Sequence, residues 1–196
     1  MGISVLALLF TASSFWWLNA RRGRLKCFPP HSFAAKVSPD SILLRFPFVF
    51  YNPGAQPLVI ENLSMKFDAA QGREMKWHGV RTTLMAARGA EDKMDLPAVF
   101  FVPGRSAQQL FLEFKGEGFE SILAPKEFNV RLRVKLGHRK KWSLLRKFPL
   151  HLERVRHPGS YAAYSNSPLV LTEAEVVEIE AALNQAATPS KKRNEK

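Results

Sequence analysis

Basic side chains are concentrated in one part of this sequence, residues 127–157, and their chemistry is the binding of anions. The chain of 196 residues carries a net charge of +12, of which +8 falls in that stretch. Such a local excess attracts lipid headgroups, nucleic acid or acidic proteins, although it does not indicate a fold. Six cations are expected to face a partner, three alternating along a predicted strand and three in the following turn: Arg131, Arg133, Lys135, Arg139, Lys140 and Lys141.

Groups that catalyse reactions or hold metals are not spaced for either task. No nucleophile elbow, P-loop, zinc-protease helix motif or dinucleotide fingerprint occurs. The five histidines are not paired three or four residues apart, and Cys27 is the single cysteine, which excludes an intrachain disulfide and zinc sites built on cysteine pairs. The sequence therefore predicts a protein that is not an enzyme and has no metal or other cofactor.

The N-terminus predicts a membrane anchor over residues 3–20, which contain no charged side chain. Eighteen helical residues span about 27 Å, close to the thickness of a bilayer's hydrocarbon core. Trp and basic side chains at the end of such a segment are typical of the headgroup region. We expect six residues to lie at the membrane interface, with anionic lipid near the basic ones: Trp16, Trp17, Arg21, Arg22, Arg24 and Lys26.

The alternative to a retained anchor is a cleaved secretory signal, which has a basic segment before its apolar stretch and small residues at its cleavage site. Only Met1 and Gly2 precede the apolar stretch, and Leu18-Asn19-Ala20 matches a cleavage site poorly. Basic residues that flank a span tend to stay in the cytoplasm, so their excess on the C-terminal side predicts a single-pass protein with a cytoplasmic domain. An extracytoplasmic domain is the alternative orientation.

Seven segments after residue 41 have the composition or alternation of β-strands, and Gly and Pro turns separate them. They are Ile42–Tyr51, Pro57–Phe67, Met75–Leu84, Ala98–Val102, Ala107–Lys115, Glu127–Leu136 and Trp142–Leu152. Pro47 inside the first segment favours an edge strand or a bulge. Alternation in Glu127–Leu136 places five residues inward: Phe128, Val130, Leu132, Val134 and Leu136. The sequence thus predicts a mostly β protein, an antiparallel two-sheet sandwich.

Strand residues and turn signals follow each other closely in two phrases, Phe50–Gly54 running to Pro57–Leu63, and Val102–Ser106. With the strand count, these phrases resemble the immunoglobulin-like sandwich domains of bacterial surface and adhesion-type proteins, over roughly residues 40–153. The Cys-Trp-Cys pattern of antibody domains is absent. The resemblance implies an immunoglobulin-like β-sandwich that serves as a binding or spacer module, without naming its partner.

The predicted organisation has six parts. An anchor over 1–20 precedes a basic juxtamembrane segment and linker over 21–41, and the β-sandwich domain covers 42–153. A linker over 154–171 leads to an amphipathic helix over 172–187, which the capping box Thr172–Glu175 opens. Residues 188–196 are expected to form a disordered tail.

The predicted function is a membrane-anchored interaction module that binds an acidic protein or lipid headgroups through a basic β-hairpin. An exported or periplasmic adhesion-type domain is the alternative. Nucleic acid ranks lower, because only Trp142 and Phe148 are available to stack bases. Lys and Arg also protect edge strands from aggregation, so the basic hairpin has a purely structural explanation as well.

Overall fold

An apolar helix begins the protein. A computed structural model describes residues 2–38, 41–68, 73–85, 92–117, 127–155 and 161–167. Helix α1 covers Gly2–Phe15 and continues as a π-helical segment over Trp16–Ala20. The stretch Ile3–Ala20 is long and apolar enough to cross a membrane, a test that an N-terminal signal sequence also passes, and none of it is buried against the domain.

Eleven strands in the described part of the chain form an antiparallel sheet. They are β1 (Lys26–Cys27), β2 (Ser32–Val37), β3 (Ser41–Asn52), β4 (Leu58–Phe67), β5 (Glu74–Arg81), β6 (Met94–Asp95), β7 (Phe100–Val102), β8 (Ser106–Glu117), β9 (Glu127–Leu136), β10 (Ser143–His151) and β11 (Ala162–Ser165). A short 3-10 turn follows β10 at Leu152–Arg154. The predicted mostly β, antiparallel fold is confirmed.

The predicted two-sheet, immunoglobulin-like sandwich is not confirmed, because the strands form a single curled sheet, a half-barrel. Its order is β10-β9-β4-β5-β8-β3-β2-β11, with β1 on β3, β6 on β5 and β7 on β4. A curled sheet buries one face against itself, so it produces the same alternation of apolar and polar residues as a sandwich. Alternation therefore identified the strands without deciding how their inner faces meet.

Asn166, directly after β11, brings the two ends of the curled sheet together. Its side-chain amide donates at 3.0 Å to the oxygens of Pro149 in β10 and Pro30, and its Oδ1 accepts from the His151 amide at 3.1 Å. Asn166 is itself buried, so these bonds satisfy a polar group that would otherwise be costly to bury.

Phenylalanines fill the concave face. Phe46, Phe48 and Phe50 lie two residues apart on β3 and are fully buried. The ring of Phe148, on the far strand β10, lies 6.0 Å from that of Phe46 and 5.9 Å from that of Phe48. Strand β9 contributes the inward residues that its alternation predicts, which are all buried: Phe128, Val130, Leu132, Val134 and Leu136.

Pro47 does not mark an edge strand or a bulge. It lies in the middle of β3, paired in register with Phe111 of β8. The odd-numbered residues of β3 direct their backbone groups to the β1–β2 side, where Val49 accepts from the Phe28 amide. Between β1 and β2 that ladder is interrupted, so the missing N–H of proline leaves no partner unsatisfied.

Strands β1, β2 and β11 lie in the segments expected to be linkers. Small residues such as Ala34 and Ala35, and the pair Pro29-Pro30, weaken the strand signal there, yet Phe33, Ala34 and Ala35 are fully buried. The helix predicted over 172–187 and the tail over 188–196 lie outside the described residues.

Candidate functional site

The three predicted binding cations of β9 lie together on the outer face of the sheet, and each pairs with a carboxylate. Arg131 Nε lies 2.7 Å from Asp68 Oδ1, and Arg133 Nη1 lies 3.7 Å from Glu74 Oε1. Lys135 forms an ion pair with Glu61. Strands β4 and β5 and the turn after β4 supply these acids, so the face carries far less net charge than the sequence of β9 alone indicates.

Arg133 has a second contact, with its guanidinium 5.4 Å from the centre of the Trp142 ring. Trp142 is half-buried, and Phe148 belongs to the core with 1% exposure. The Phe148 ring is therefore closed to base stacking, which needs an open aromatic face beside a basic groove.

The other three predicted cations, Arg139, Lys140 and Lys141, are exposed in the turn between β9 and β10. Arg139 Nε donates to His138 Nε2 at 3.2 Å, and the Arg139 amide donates to Leu136 O at 2.8 Å. Among the residues that the structure describes, no carboxylate forms an ion pair with any of the three. Three cations of the hairpin thus lie together in its turn without a carboxylate partner among the described residues, whereas Lys147 on β10 shares Asp68 with Arg131.

This turn lies beside the C-terminal end of the apolar helix. The Gly137 amide donates to Val59 O at 3.0 Å, which fixes the turn against the start of β4. A cleft of about 530 Å³ is lined by His138 and Arg139 of this turn and by Arg22 of the segment that follows the apolar helix. The fold therefore brings together two groups of cations that lie over a hundred residues apart in the sequence.

Polar contacts attach the C-terminal end of the apolar helix to the domain. Arg105 Nη2 donates to the main-chain oxygens of Trp17 at 2.7 Å and Leu18 at 3.1 Å. The Ala55 amide donates to Arg21 O at 2.8 Å, and the Arg21 guanidinium lies 3.9 Å from the centre of the Trp17 ring. The last carbonyls of a helix lack partners within it, so Arg105 supplies a cap from the domain.

Two glycines allow the segment that follows the apolar helix to pack against the domain. A Cβ on Gly54 would lie 1.9 Å from the Gly23 amide nitrogen, and a Cβ on Gly23 would lie 1.9 Å from Asn52 Oδ1. Beyond this crossing Leu25 and Cys27 are buried, whereas Arg24 and Lys26 are exposed. The alternation shows that this stretch lies along the domain with its cations facing outward.

Three turns lie near the C-terminal end of the apolar helix. Together with the segment that follows the helix they form one end of the domain, which we name the basal pole: residues 21–26, 53–57, 103–105 and 137–142. These segments contain no Asp or Glu. Their cations are Arg21, Arg22, Arg24, Lys26, Arg105, Arg139, Lys140 and Lys141. The basal pole is the candidate functional site, because charge of one sign accumulates there without compensation.

No protein-family model matches this sequence, and no curated protein matches it. The crystal structure of a protein from Archaeoglobus fulgidus aligns with 74% of this chain and 98% of its own, at 9% sequence identity and a TM-score of 0.34. A similarity at this level carries no inference about fold or function.

A second cluster of charges lies beside Thr83, Leu84 and Asp92, which follow β5. Arg45, on β3, donates to Asp92 Oδ2 at 2.8 Å, to Glu113 Oε2 at 3.2 Å and to Thr83 O at 2.8 Å. Burial by itself lowers the pKa of Arg45, but the hydrogen bond and charge of Asp92, with Tyr161 and Glu113, outweigh it and raise the pKa overall. Arg81 pairs with the same two carboxylates, so two cations balance two anions and the cluster holds Thr83 and Asp92 onto the sheet.

Sequence reasoning missed Arg105 and the burial of Cys27. Arg105 adopts a φ of 54°, which is rare for a residue with a side chain. It follows Pro103-Gly104, a pattern that predicts a turn but does not predict a contact with the helix. Cys27 is 5% exposed, and burial raises the pKa of its thiol to about 12, with Arg146 lowering it by a smaller amount. In the described part of the chain, no three His, Cys, Asp or Glu residues are grouped to hold a metal.

Proposed function

We propose that this protein is a membrane-anchored, non-enzymatic interaction module whose basal pole lies on anionic lipid headgroups. The observation that carries the proposal is that Arg22 and Arg139 line the same cleft, so the hairpin turn lies near the C-terminal end of the apolar helix. A helix that crosses the bilayer ends among the headgroups, so every cation that surrounds its end lies at the same depth.

Electrostatics favours this arrangement over a distant acidic partner. Each basic residue near an anionic leaflet contributes about 1 kcal/mol, and the attraction falls off within a Debye length of about 8 Å. Contacts of 2.7 to 3.1 Å between Arg105 and the helix carbonyls keep the basal pole within about one Debye length of the headgroups. The cations of β9 are less available, since Asp68, Glu74 and Glu61 pair with them.

The domain is proposed to face the cytoplasm, because the cations of the basal pole lie on the C-terminal side of the span. Native Cys27 is too buried to report topology, so a Lys141→Cys variant supplies an exposed thiol. In intact cells an impermeant maleimide should label this thiol only after lysis. Labelling before lysis would support the exported alternative instead.

Lysine reactivity tests the contact with lipid. The full chain is placed in nanodiscs of zwitterionic lipid, or of the same lipid with 30% phosphatidylserine, and treated with an amine reagent before mass spectrometry. Labelling of Lys140 and Lys141 should fall several-fold in the anionic discs. Lys115, exposed near the opposite end of β8, is the matched control and should react equally in both.

Equal labelling of the turn lysines in the two kinds of disc would contradict the proposal. The same protein should then be tested against an acidic protein surface, for which polyglutamate is the probe. Shielding of Lys140 and Lys141 by polyglutamate alone would assign the hairpin turn to an acidic protein partner.

A further inference from the structure

The cleft at the basal pole has the composition of a site for a single anionic group attached to an apolar body. Arg22, His138 and Arg139 line it, together with the apolar residues Pro57, Leu58 and Val59. Its volume of about 530 Å³ lies in the range of small-molecule sites. Leu58 is buried and Val59 is 40% exposed, so the apolar part of the lining is accessible at Val59.

Arg139 is positioned to offer a pair of parallel donors. Its Nε donates to His138 Nε2, and within the described part of the chain neither Nη atom donates to a protein group, so the N–H groups of both are available. The bond from its amide to Leu136 O and the bond from the Gly137 amide to Val59 O fix the backbone of the turn on both sides. Paired Nη donors match the oxygen spacing of phosphate, which they bind in a bidentate manner.

Arg22 also lines this cleft, and none of the described residues that line it is acidic. The close approach of Gly23 to Gly54 holds the backbone beside Arg22 against the domain. Two cations that line one cleft without a carboxylate repel each other unless an anion binds there, and a doubly charged anion offsets this repulsion more than a singly charged one.

We infer that this cleft binds one phosphomonoester group, carried by the headgroup of a membrane lipid. The inference rests on the proposed function, since it places the cleft at headgroup depth. It goes further by assigning one lipid of a defined class to a discrete site. The phosphate pairs with Arg22 and Arg139, while the glycerol and first methylenes of the lipid lie on Pro57 and Val59. Free phosphate has the same anionic chemistry but lacks these apolar contacts.

Native mass spectrometry of the full chain in neutral detergent micelles tests the site. Short-chain phosphatidic acid, which carries a phosphomonoester, is compared with phosphatidylserine of the same acyl chains. We expect a single phosphatidic acid adduct and weaker binding of phosphatidylserine. Arg139→Gln should weaken the adduct about tenfold or more, the loss expected for a charge-assisted hydrogen-bonded pair. Arg22→Gln is a second variant with the same expectation.

Lys115→Gln is the matched control. It removes the same charge outside the basal pole, near the opposite end of β8, and should change binding less than twofold. Equal losses for Arg139→Gln and Lys115→Gln, or equal binding of the two lipids, would overturn the site. If the lysine shielding in anionic nanodiscs nevertheless persists, the proposed function stands without it. Thermal melting of each variant shows that the domain remains folded.

Inorganic phosphate identifies the source of the group. An adduct that survives a hundredfold excess of inorganic phosphate shows that the lipid body contributes to binding, as inferred. Displacement of the lipid by an equal concentration of inorganic phosphate would overturn the lipid as the ligand and assign the cleft to the free anion.

Discussion

Arg105 donates from Nη2 to the main-chain oxygen of Trp17 at 2.7 Å, across 88 positions of the sequence. Its backbone has a φ of 54°, and its amide donates to Gly54 O at 2.8 Å. The tight turn between β7 and β8 thus directs one cation at the end of the apolar helix. A residue with a side chain in this conformation costs about 1 kcal/mol or more, a strain that the contact with the helix offsets.

Arg105→Gly should separate domain stability from attachment of the helix. Glycine accepts a positive φ, so the melting temperature should stay the same or rise, while the cap on the helix is lost. Spin labels at Asn19→Cys and Gln109→Cys, both exposed, should show a broader distance distribution in this variant. An unchanged distribution would mean that Arg105 does not hold the helix. Arg105→Lys is the control that keeps the charge.

Gly54→Ala should disturb the crossing at the basal pole. The added Cβ meets the Gly23 backbone, which cannot rotate away, so we expect a loss of about 1–3 kcal/mol in the free energy of unfolding or displacement of the segment that follows the apolar helix. Faster tryptic cleavage after Arg22 and Arg24 measures the displacement. Gly137→Ala meets only the Val59 side chain at 3.2 Å and should have a smaller effect. Equal effects of the two substitutions would refute the backbone crossing.

Arg45→Met should destabilise the domain strongly. The Arg45 side chain is 3% exposed and its partner Glu113 is 1% exposed. The substitution therefore leaves the buried negative charge of Glu113 with one cation fewer to balance it. Breaking a buried pair costs about 3–5 kcal/mol. Arg81→Met removes a more exposed partner of Glu113, at 19%, and should cost less. Urea unfolding measures both, and a larger loss for Arg81→Met would contradict the assignment.

Cys27 should react with thiol reagents only when the protein opens, because it is buried. Burial raises the pKa of the folded thiol from 9.0 to about 12, whereas the unfolded thiol ionises near its ordinary value. The contribution of this shift to stability is therefore fully present below pH 9 and is lost as the pH rises towards 12. Urea unfolding of the wild type and Cys27→Ala isolates the effect, since Tyr and Lys titrate in both. A constant difference between them from pH 8 to 11 would argue against it.

Charge reversal should distinguish the two halves of the basic hairpin. Changing Arg139, Lys140 and Lys141 to Glu should weaken shielding of the basal pole by anionic nanodiscs and leave the melting temperature nearly unchanged. Changing Arg131, Arg133 and Lys135 to Glu should lower the melting temperature, since each new carboxylate would face Asp68, Glu74 or Glu61. Hydrogen exchange at Lys26 and Trp142 in the discs reports the shielding. Equal loss of shielding in both triple variants would show that the whole outer face takes part.

The sequence determined the local features of this protein. Period-2 alternation fixed which side chains of β9 point inward, because successive side chains of a strand point to opposite faces whatever the strand pairs with. The absence of charge over residues 3–20 likewise identified the apolar helix, since hydropathy and length are local properties. Both features are read within one segment, and neither depends on the rest of the chain.

The tertiary structure decided the closure of the sheet and the distribution of free charge. Alternation does not specify which strands are neighbours, so a sandwich and a curled sheet have the same local pattern. The carboxylates that pair with β9 come from residues 61–74, and the turn after β9 lines a cleft with Arg22 only because β9 pairs with β4. Electrostatic interactions depend on distance in space, so long-range strand pairing determines which cations remain unpaired at the basal pole.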